Sequence, residues 1–120
     1  MSYNTDNMAS VWINNVRVAN LLSVENSLIR DWSIADNAIA TTQKEASVVL
    51  SRTVYFGQGL PDKVSFFGLE NFVLEIRYPR YNLTFIGCQW ISHKEKLTNE
   101  NTVIETMEVV AKTCNVVTIM

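Results

Sequence analysis

Histidine is almost missing from this chain: of its 120 residues only His93 carries an imidazole. A nucleophilic triad needs a base within reach of a serine, cysteine or threonine, and a carboxylate to orient it. His93 sits beside Lys94 and Glu95 in a polar run, residues 93–101 (HKEKLTNEN), and reads as an exposed residue in a link between strands. Cys88 lies five positions before it. In a strand that spacing puts the two side chains on opposite faces, so no Cys–His pair is expected. Cysteine is scarce too. Cys88 and Cys114 are the only two, and neither stands in a CxxC or a Cys/His spacing. A disulfide-stapled secreted domain uses more, and a structural zinc site needs four ligands at close spacing. Both read as free thiols that pack as small apolar side chains.

Charge is low at 18% of residues, with a net of −2 and a pI of about 5.3. The basic residues are scattered; only Lys94 and Lys96 stand close, with Glu95 between them. Binding nucleic acid through its phosphates needs a basic patch, and none is present. Glu105 and Glu108 are three apart on an expected strand and so face opposite ways, which rules out a facing pair of the glycosidase kind. Gly57-Gln58-Gly59 is a lone GxG without the third glycine, the following helix or the acidic partner of a dinucleotide site, and reads as a turn. The sequence holds no apolar run of the ~18 residues that mark a membrane-spanning helix. Its opening, MSYNTDNMAS, lacks a basic start followed by an apolar stretch. The expectation is a protein made and kept in the cytoplasm unless an assembly carries it out. The pattern assigns no catalytic, cofactor-binding or metal-binding residue, and the chain reads as a non-enzyme.

What is present is apolar material, 48% of residues, enough for a core in one domain over residues 1–120 with a polar arm at 1–8. A small domain has much surface for its volume, so the low charge points to a skin partly covered by other subunits. Val11-Trp12-Ile13 and Val16-Arg17-Val18 flank Asn14-Asn15, a hairpin with a tight turn. Over residues 20–32, Leu21, Val24, Leu28 and Trp32 fit a helical stripe capped by Asn20 as well as a strand, and the hairpin just before favours the strand. Residues 33–46 (SIADNAIATTQKEA) are small and mixed, and read as a loop with room for one helical turn. Residues 47–56 (SVVLSRTVYF) are β-branched and aromatic, a strand. A break at 57–62 leads to a short helix or irregular edge over 63–69.

The second half alternates clearly. Phe72, Leu74 and Ile76 face one way, Glu75 and Arg77 the other, and a turn at 79–82 leads into a second strand over 83–92. Residues 102–113 make a long strand with Val103, Glu105, Met107, Val109 and Ala111 on its core face. The apolar tail, 116–120, packs on this domain or a neighbour. Of the aromatics, only Arg77–Tyr78–Arg80–Tyr81 interleaves bases with rings as a stacking surface would, and it reads as an anchored turn. The sum is a mainly β fold, an antiparallel β-sandwich or barrel of about six or seven strands with at most one short helix.

Two stretches resemble the tail tube proteins of tailed phages and related contractile particles. One is the early hairpin, Val11-Trp12-Ile13-Asn14-Asn15-Val16-Arg17-Val18, running into Leu22-Ser23-Val24-Glu25. The other is the close: Leu83-Thr84-Phe85-Ile86-Gly87-Cys88-Gln89-Trp90, a charged link, then the acidic alternating strand from Thr102 to Ala111. Together they cover roughly half the chain. The chain is short for a tube protein, and the helix usual between the sheets has no counterpart in the pattern, so a tail terminator, tube initiator or baseplate adaptor of the same fold fits as well. The resemblance implies a homo-oligomer: sixfold rings whose hairpins join into a continuous barrel, stacked into a tube for DNA or effector passage without specific DNA binding. It also implies sheath, tape-measure or baseplate partners in a virion or phage-tail-like particle assembled in the bacterial cytoplasm. Thr106, Glu108 and Lys112, on the more polar face of the last long strand, would then face the lumen. The rival from another class is a β-sandwich module that binds carbohydrate or protein through exposed aromatics.

Overall fold

The computed structural model describes residues 9–35, 38–55 and 64–118, of which 31–35, 38–44 and 55 as backbone alone. Eight strands run through them: β1 (Ser10–Ile13), β2 (Val16–Arg17), β3 (Leu21–Ala35), β4 (Ala38–Tyr55), β5 (Phe72–Arg77), β6 (Tyr81–Leu97), β7 (Thr102–Ala111) and β8 (Thr113–Thr118). All pairings are antiparallel, in the order β2-β1-β5-β6-β7-β4-β3, with β8 also on β6. Asparagine shapes the turns. The non-glycine residues with positive φ are Asn14, Asn15, Asn20, Asn71 and Asn101. Asparagine tolerates this left-handed region better than bulkier residues do. At Asn14-Asn15 two successive positive φ values, 48° and 67°, give the turn whose twist suits a two-residue hairpin. Asn14 is also tied to β5: its N–H donates to the Val73 carbonyl (2.9 Å), and its Oδ1 accepts from the Val73 N–H (3.0 Å).

The sheet folds over at β6. Its first half pairs with β5 and β8; its second half pairs with β7. One leaf is therefore β2, β1, β5, the start of β6 and β8, and the other is the end of β6 with β7, β4 and β3. Register shifts on both sides of the crossing, at Phe72/Leu74 in the β5 pairing and Trp90/Ser92 in the β7 pairing, bend and twist β6 there. Gly87 has a φ of 69° at the bend. The partner ribbon breaks opposite it, at Lys112 between β7 and β8, where the Lys112 N–H still donates to the Ile86 carbonyl (3.0 Å).

The two leaves enclose one core. Val11, Ile13, Phe72, Leu74, Ile76, Phe85 and Cys88 of the first leaf meet Ala46, Val48, Leu50, Met107 and Val109 of the second, all at most 1% exposed. Val64 and Phe66, from the irregular stretch before β5, close one end. At the other end the β3–β4 hairpin runs on alone. β4 pairs with β7 only from Ala46 onwards, and residues 38–45 pair with β3 alone. At about 3.3 Å per residue this arm reaches roughly 25 Å past the leaf. The chain measures 62 × 35 × 23 Å, and its radius of gyration is 16.8 Å. A compact chain of this length would have about 13.6 Å.

Several expectations change. The mainly β, antiparallel fold stands as expected, with eight strands among the described residues where about six or seven were expected, and no helix among them. The expected loop over 33–46 is the arm of β3 and β4, apart from positions 36 and 37, which lie outside the described residues. Among the described residues the arm pairs only with itself, so no neighbouring core imposes an apolar alternation that would have revealed it. The expected link over 93–101 shrinks to residues 98–101, because β6 continues to Leu97. Of the two alternatives expected over 63–69, residues 64–69 take the irregular one. The arm at 1–8 and the break at 57–62 lie outside the described residues.

Gly87 supports a direct test of the fold-over. A Cβ there would come within 2.9 Å of Lys112 Cδ, on a backbone that side chains rarely adopt. Gly87→Ala should lower stability by about 1–3 kcal/mol, the usual cost of left-handed backbone at a non-glycine residue. Urea titration measures this, and an unmoved midpoint would show that the bend does not demand glycine.

Candidate functional site

The second leaf has two unlike faces, because side chains along a strand alternate. On β7, Glu105, Met107 and Val109 turn inward and are buried, while Glu108 is exposed on the other side. Thr106 shares that outer side. Its Oγ1 lies 2.8 Å from Ser51 Oγ, and it stands opposite Ser51 on β4 and Lys94 on β6. Glu108 stands opposite Val49 and Ser92. Register extends this face to Glu25 and Ser27 on β3, Ser47 on β4 and Lys96 on β6. The face is rich in hydroxyls and carries carboxylates and ammonium groups in mixture, without a patch of one sign. Thr106 and Glu108 are thus brought together, but Lys112 is not. It falls in the break after β7, exposed, with its aliphatic stem against Gly87. The strand expected over 102–113 ends at Ala111, and the bend takes Lys112 off the face.

The edges of this leaf are open. Among the described residues β3 pairs only with β4, and β6 beyond Cys88 pairs only with β7. Both carry exposed apolar side chains: Leu22 (56%), Leu28 and Ile29 on β3, Ile91 and Leu97 (69%) on β6. A hollow of about 420 Å³ lies where β3, β4 and β7 meet the β6–β7 turn. Glu100 is the sole charged residue lining it.

Under the inner face lies a buried ionic cluster. Arg52 and Glu105 are 3% and 6% exposed, and Arg52 Nε donates to Glu105 Oε1 at 2.7 Å. His93 Nε2 lies 2.9 Å from the other oxygen, Oε2. The Phe66 ring covers the Arg52 guanidinium at 3.7 Å, and the Phe67 ring lies 4.1 Å from that of His93. The expected surface histidine is therefore wrong: the His93 side chain is 7% exposed. The error follows from the loop expected over 93–101, since β6 carries His93 onto the inner face. Glu105 was expected on the core face and is there. Arg52 was missed, although it shares the parity of Val48 and Leu50 in the run SVVLSRTVYF.

Elsewhere the reactive side chains are quiet. Cys88 is fully buried, its thiol donates to the Phe85 carbonyl at 3.3 Å, and burial pushes its pKa up to about 11. A thiol held protonated is a poor nucleophile. Burial also raises Cys114. Cys88 is a free thiol. Tyr78 and Tyr81 stack on each other at 4.8 Å, and Arg77 covers the Trp12 ring at 4.0 Å. These rings are occupied by their own neighbours.

No family model matches the chain, and no curated protein matches it by sequence. Solved structures do match in fold. Hcp1 from Flavobacterium johnsoniae superposes with a TM-score of 0.60 at 15% identity, covering 90% of this chain and 93% of that one. The tube-terminating cap of the anti-feeding prophage gives 0.63 at 11% identity, covering 99% and 94%. A chain of the sheath–tube complex of an extracellular contractile injection system, the PVC particle in its extended state, gives 0.59 at 9% identity, covering 94% and 90%. The fold is tail-tube-like.

Two measurements probe the buried groups. Glu105→Leu takes its carboxylate away from the buried Arg52 charge and should cost about 3–5 kcal/mol, while Arg52→Met/Glu105→Leu should recover most of that loss. If the double variant is no better in urea than the single, the two charges are independent. The raised Cys88 pKa has a definite sign. Between its ordinary 9.0 and about 11 the unfolded chain gives up the proton and the folded chain keeps it. Stability therefore falls as pH rises through that window. Cys88→Ala should flatten the fall, and an equal slope in both proteins would place its origin elsewhere.

Proposed function

We propose that this chain, with its tail-tube-like fold, is a structural subunit of a phage-tail-like particle, closing with its own copies into sixfold rings that stack into a tube. The observation that carries this reading is the second leaf: a four-stranded sheet with a polar outer face and two open, partly apolar edges. An open edge invites pairing with another strand. The two edges here differ, so the natural contact sets the β3 edge of one copy against the β6 edge of the next. Such a head-to-tail contact closes a ring when its rotation allows. The core and the first leaf lie on one side of the second leaf, so in a closed ring that bulk stays outside and the polar face lines the channel. Six four-stranded leaves make about 24 strands, more than the 16–18 that already enclose an aqueous channel in porins.

Thr106 and Glu108 are then lumen-facing, and Lys112 stands at the rim, on the bend. A lining of hydroxyls and mixed charges, in a chain of net charge −2, lets DNA or an effector pass without gripping it. Sheath, tape-measure and baseplate proteins are the expected partners, and the bacterial cytoplasm is the site of assembly. The role is structural, not enzymatic. A terminator role on the same fold is favoured as the second reading by the similarity to a tube-terminating cap over 99% of the chain.

Negative-stain microscopy and light scattering of the purified chain test the proposal. Rings or stacked rings are expected, and a monodisperse monomer at high concentration would overturn it. Leu22→Lys and Leu97→Lys place a charge at each open edge, on side chains already exposed. Each should break the rings into monomers that keep the β-rich circular dichroism spectrum of the folded chain. Rings that survive both substitutions would show that the edges are not the contact.

A further inference from the structure

The buried cluster contains an arrangement that its ion pair does not explain. Arg52 on β4, Glu105 on β7 and Glu95 on β6 stand directly opposite one another in register, a row across three strands. Like charges directly opposite on adjacent strands are destabilising. Arg52 answers one carboxylate oxygen of Glu105, at 2.7 Å. The other oxygen lies 2.9 Å from His93 Nε2. His93 lies two residues before Glu95 on the same strand and so shares its face. One ligand atom from each of His93, Glu95 and Glu105 lies within 4.8 Å of the other two. The His93 side chain is more than nine-tenths buried and aims Nε2 into the cluster, where its hydrogen-bonding partner is Glu105 itself, at 2.9 Å.

We infer that His93, Glu95 and Glu105 form a binding site for one first-row divalent cation, with Zn²⁺ as the best match to an imidazole and two carboxylates. Two ligands at i and i+2 on one strand and a third on its neighbour present three donors to one point. A tetrahedral ion with bonds of about 2.1 Å needs donors about 3.4 Å apart. Glu95 is exposed and free to rotate inward by the remaining distance. Imidazole selects zinc-like ions over magnesium or calcium, which prefer all-oxygen sites. The surroundings suit a ligand set. Arg52 fixes the far oxygen of Glu105, and Phe66 and Phe67 screen Arg52 and His93. Lys94 and Lys96 alternate onto the opposite face of β6 and do not compete.

Charges and protons balance. With His93 neutral, Glu95, Glu105 and Arg52 sum to −1, and a divalent ion brings the site to +1. The one proton of the neutral ring then sits on Nδ1, which leaves Nε2 to take the metal. A fourth position stays open to water at the exposed end of the site. The ion would tie the open edge strand β6 to β7. The inference stands apart from ring formation, since all three donors belong to one chain.

The test uses the full chain without an affinity tag, stripped with chelator. Calorimetry with ZnCl₂ should show one ion per chain. The melting temperature should rise with Zn²⁺ and stay unmoved by Mg²⁺. Glu95→Gln keeps the fold, because its side chain is exposed, and should weaken Zn²⁺ at least tenfold. In the metal-free state it should melt no lower than the parent, since a like-charge contact is relieved. His93→Gln should abolish the site. Absence of binding by the parent chain, or equal Zn²⁺ affinity in the parent and Glu95→Gln, would overturn the inference and leave the cluster as a buried ion pair only.

Discussion

The rest of the structure depends on one strand belonging to both leaves. β6 cannot continue flat: if it did, the eight strands would form one open sheet with no second layer to cover its apolar face. The bend at Gly87, matched by the break at Lys112 in the facing ribbon, folds the sheet onto itself. Backbone pairing survives the turn, because the Lys112 N–H still reaches the Ile86 carbonyl. Phe72, Leu74 and Phe85 of one leaf then stand over Leu50, Met107 and Val109 of the other, and the core closes without a helix among the described residues.

The same fold-over decides what stays open. It spends the first half of β6 on two partners and leaves the second half with one, so the second leaf is sealed on its inner face and unsealed at both sides. A monomer with such edges would ordinarily protect them with charge, proline or a covering segment. Here Lys94 and Lys96 charge the β6 edge, yet Leu22, Ile91 and Leu97 also stand exposed along the two edges. The elongated shape, with the β3–β4 arm reaching past the core, adds surface that a self-contained domain has little use for. These features agree with the low charge of the chain and with an assembly that completes the sheet.

Burying Arg52, Glu105 and His93 beneath two phenylalanines is costly, because each charged group loses its water. The cluster survives because the oxygens of Glu105 are both occupied, one by Arg52 and one by His93. It lies on the inner face of the leaf whose outer face is polar, so β7 carries its acidic residues on both sides, Glu105 inward in a pair and Glu108 outward in water.

Local pattern was enough for much of this. Alternation in Phe72–Ile76 and in Val103–Ala111 named the inward faces, Asn14-Asn15 named the first turn, and the scarcity of histidine and cysteine argued against a triad. These are short-range properties, written in the period of two that any half-buried strand must keep. The arm over β3 and β4 was illegible because, among the described residues, it pairs only with itself, so no neighbouring core marks one of its faces. His93 was illegible for the opposite reason: HKEKL reads as a solvated link, and only the pairing of β6 with β7 turns alternate members inward. Lys112 was assigned by a periodicity that the bend interrupts. Sequence by itself determined that this is a β domain with apolar faces and little chemistry of an ordinary kind. The tertiary structure decided which edges stay open and which charges meet in the interior, because both depend on where β6 bends, and that rests on contacts between residues far apart in the chain.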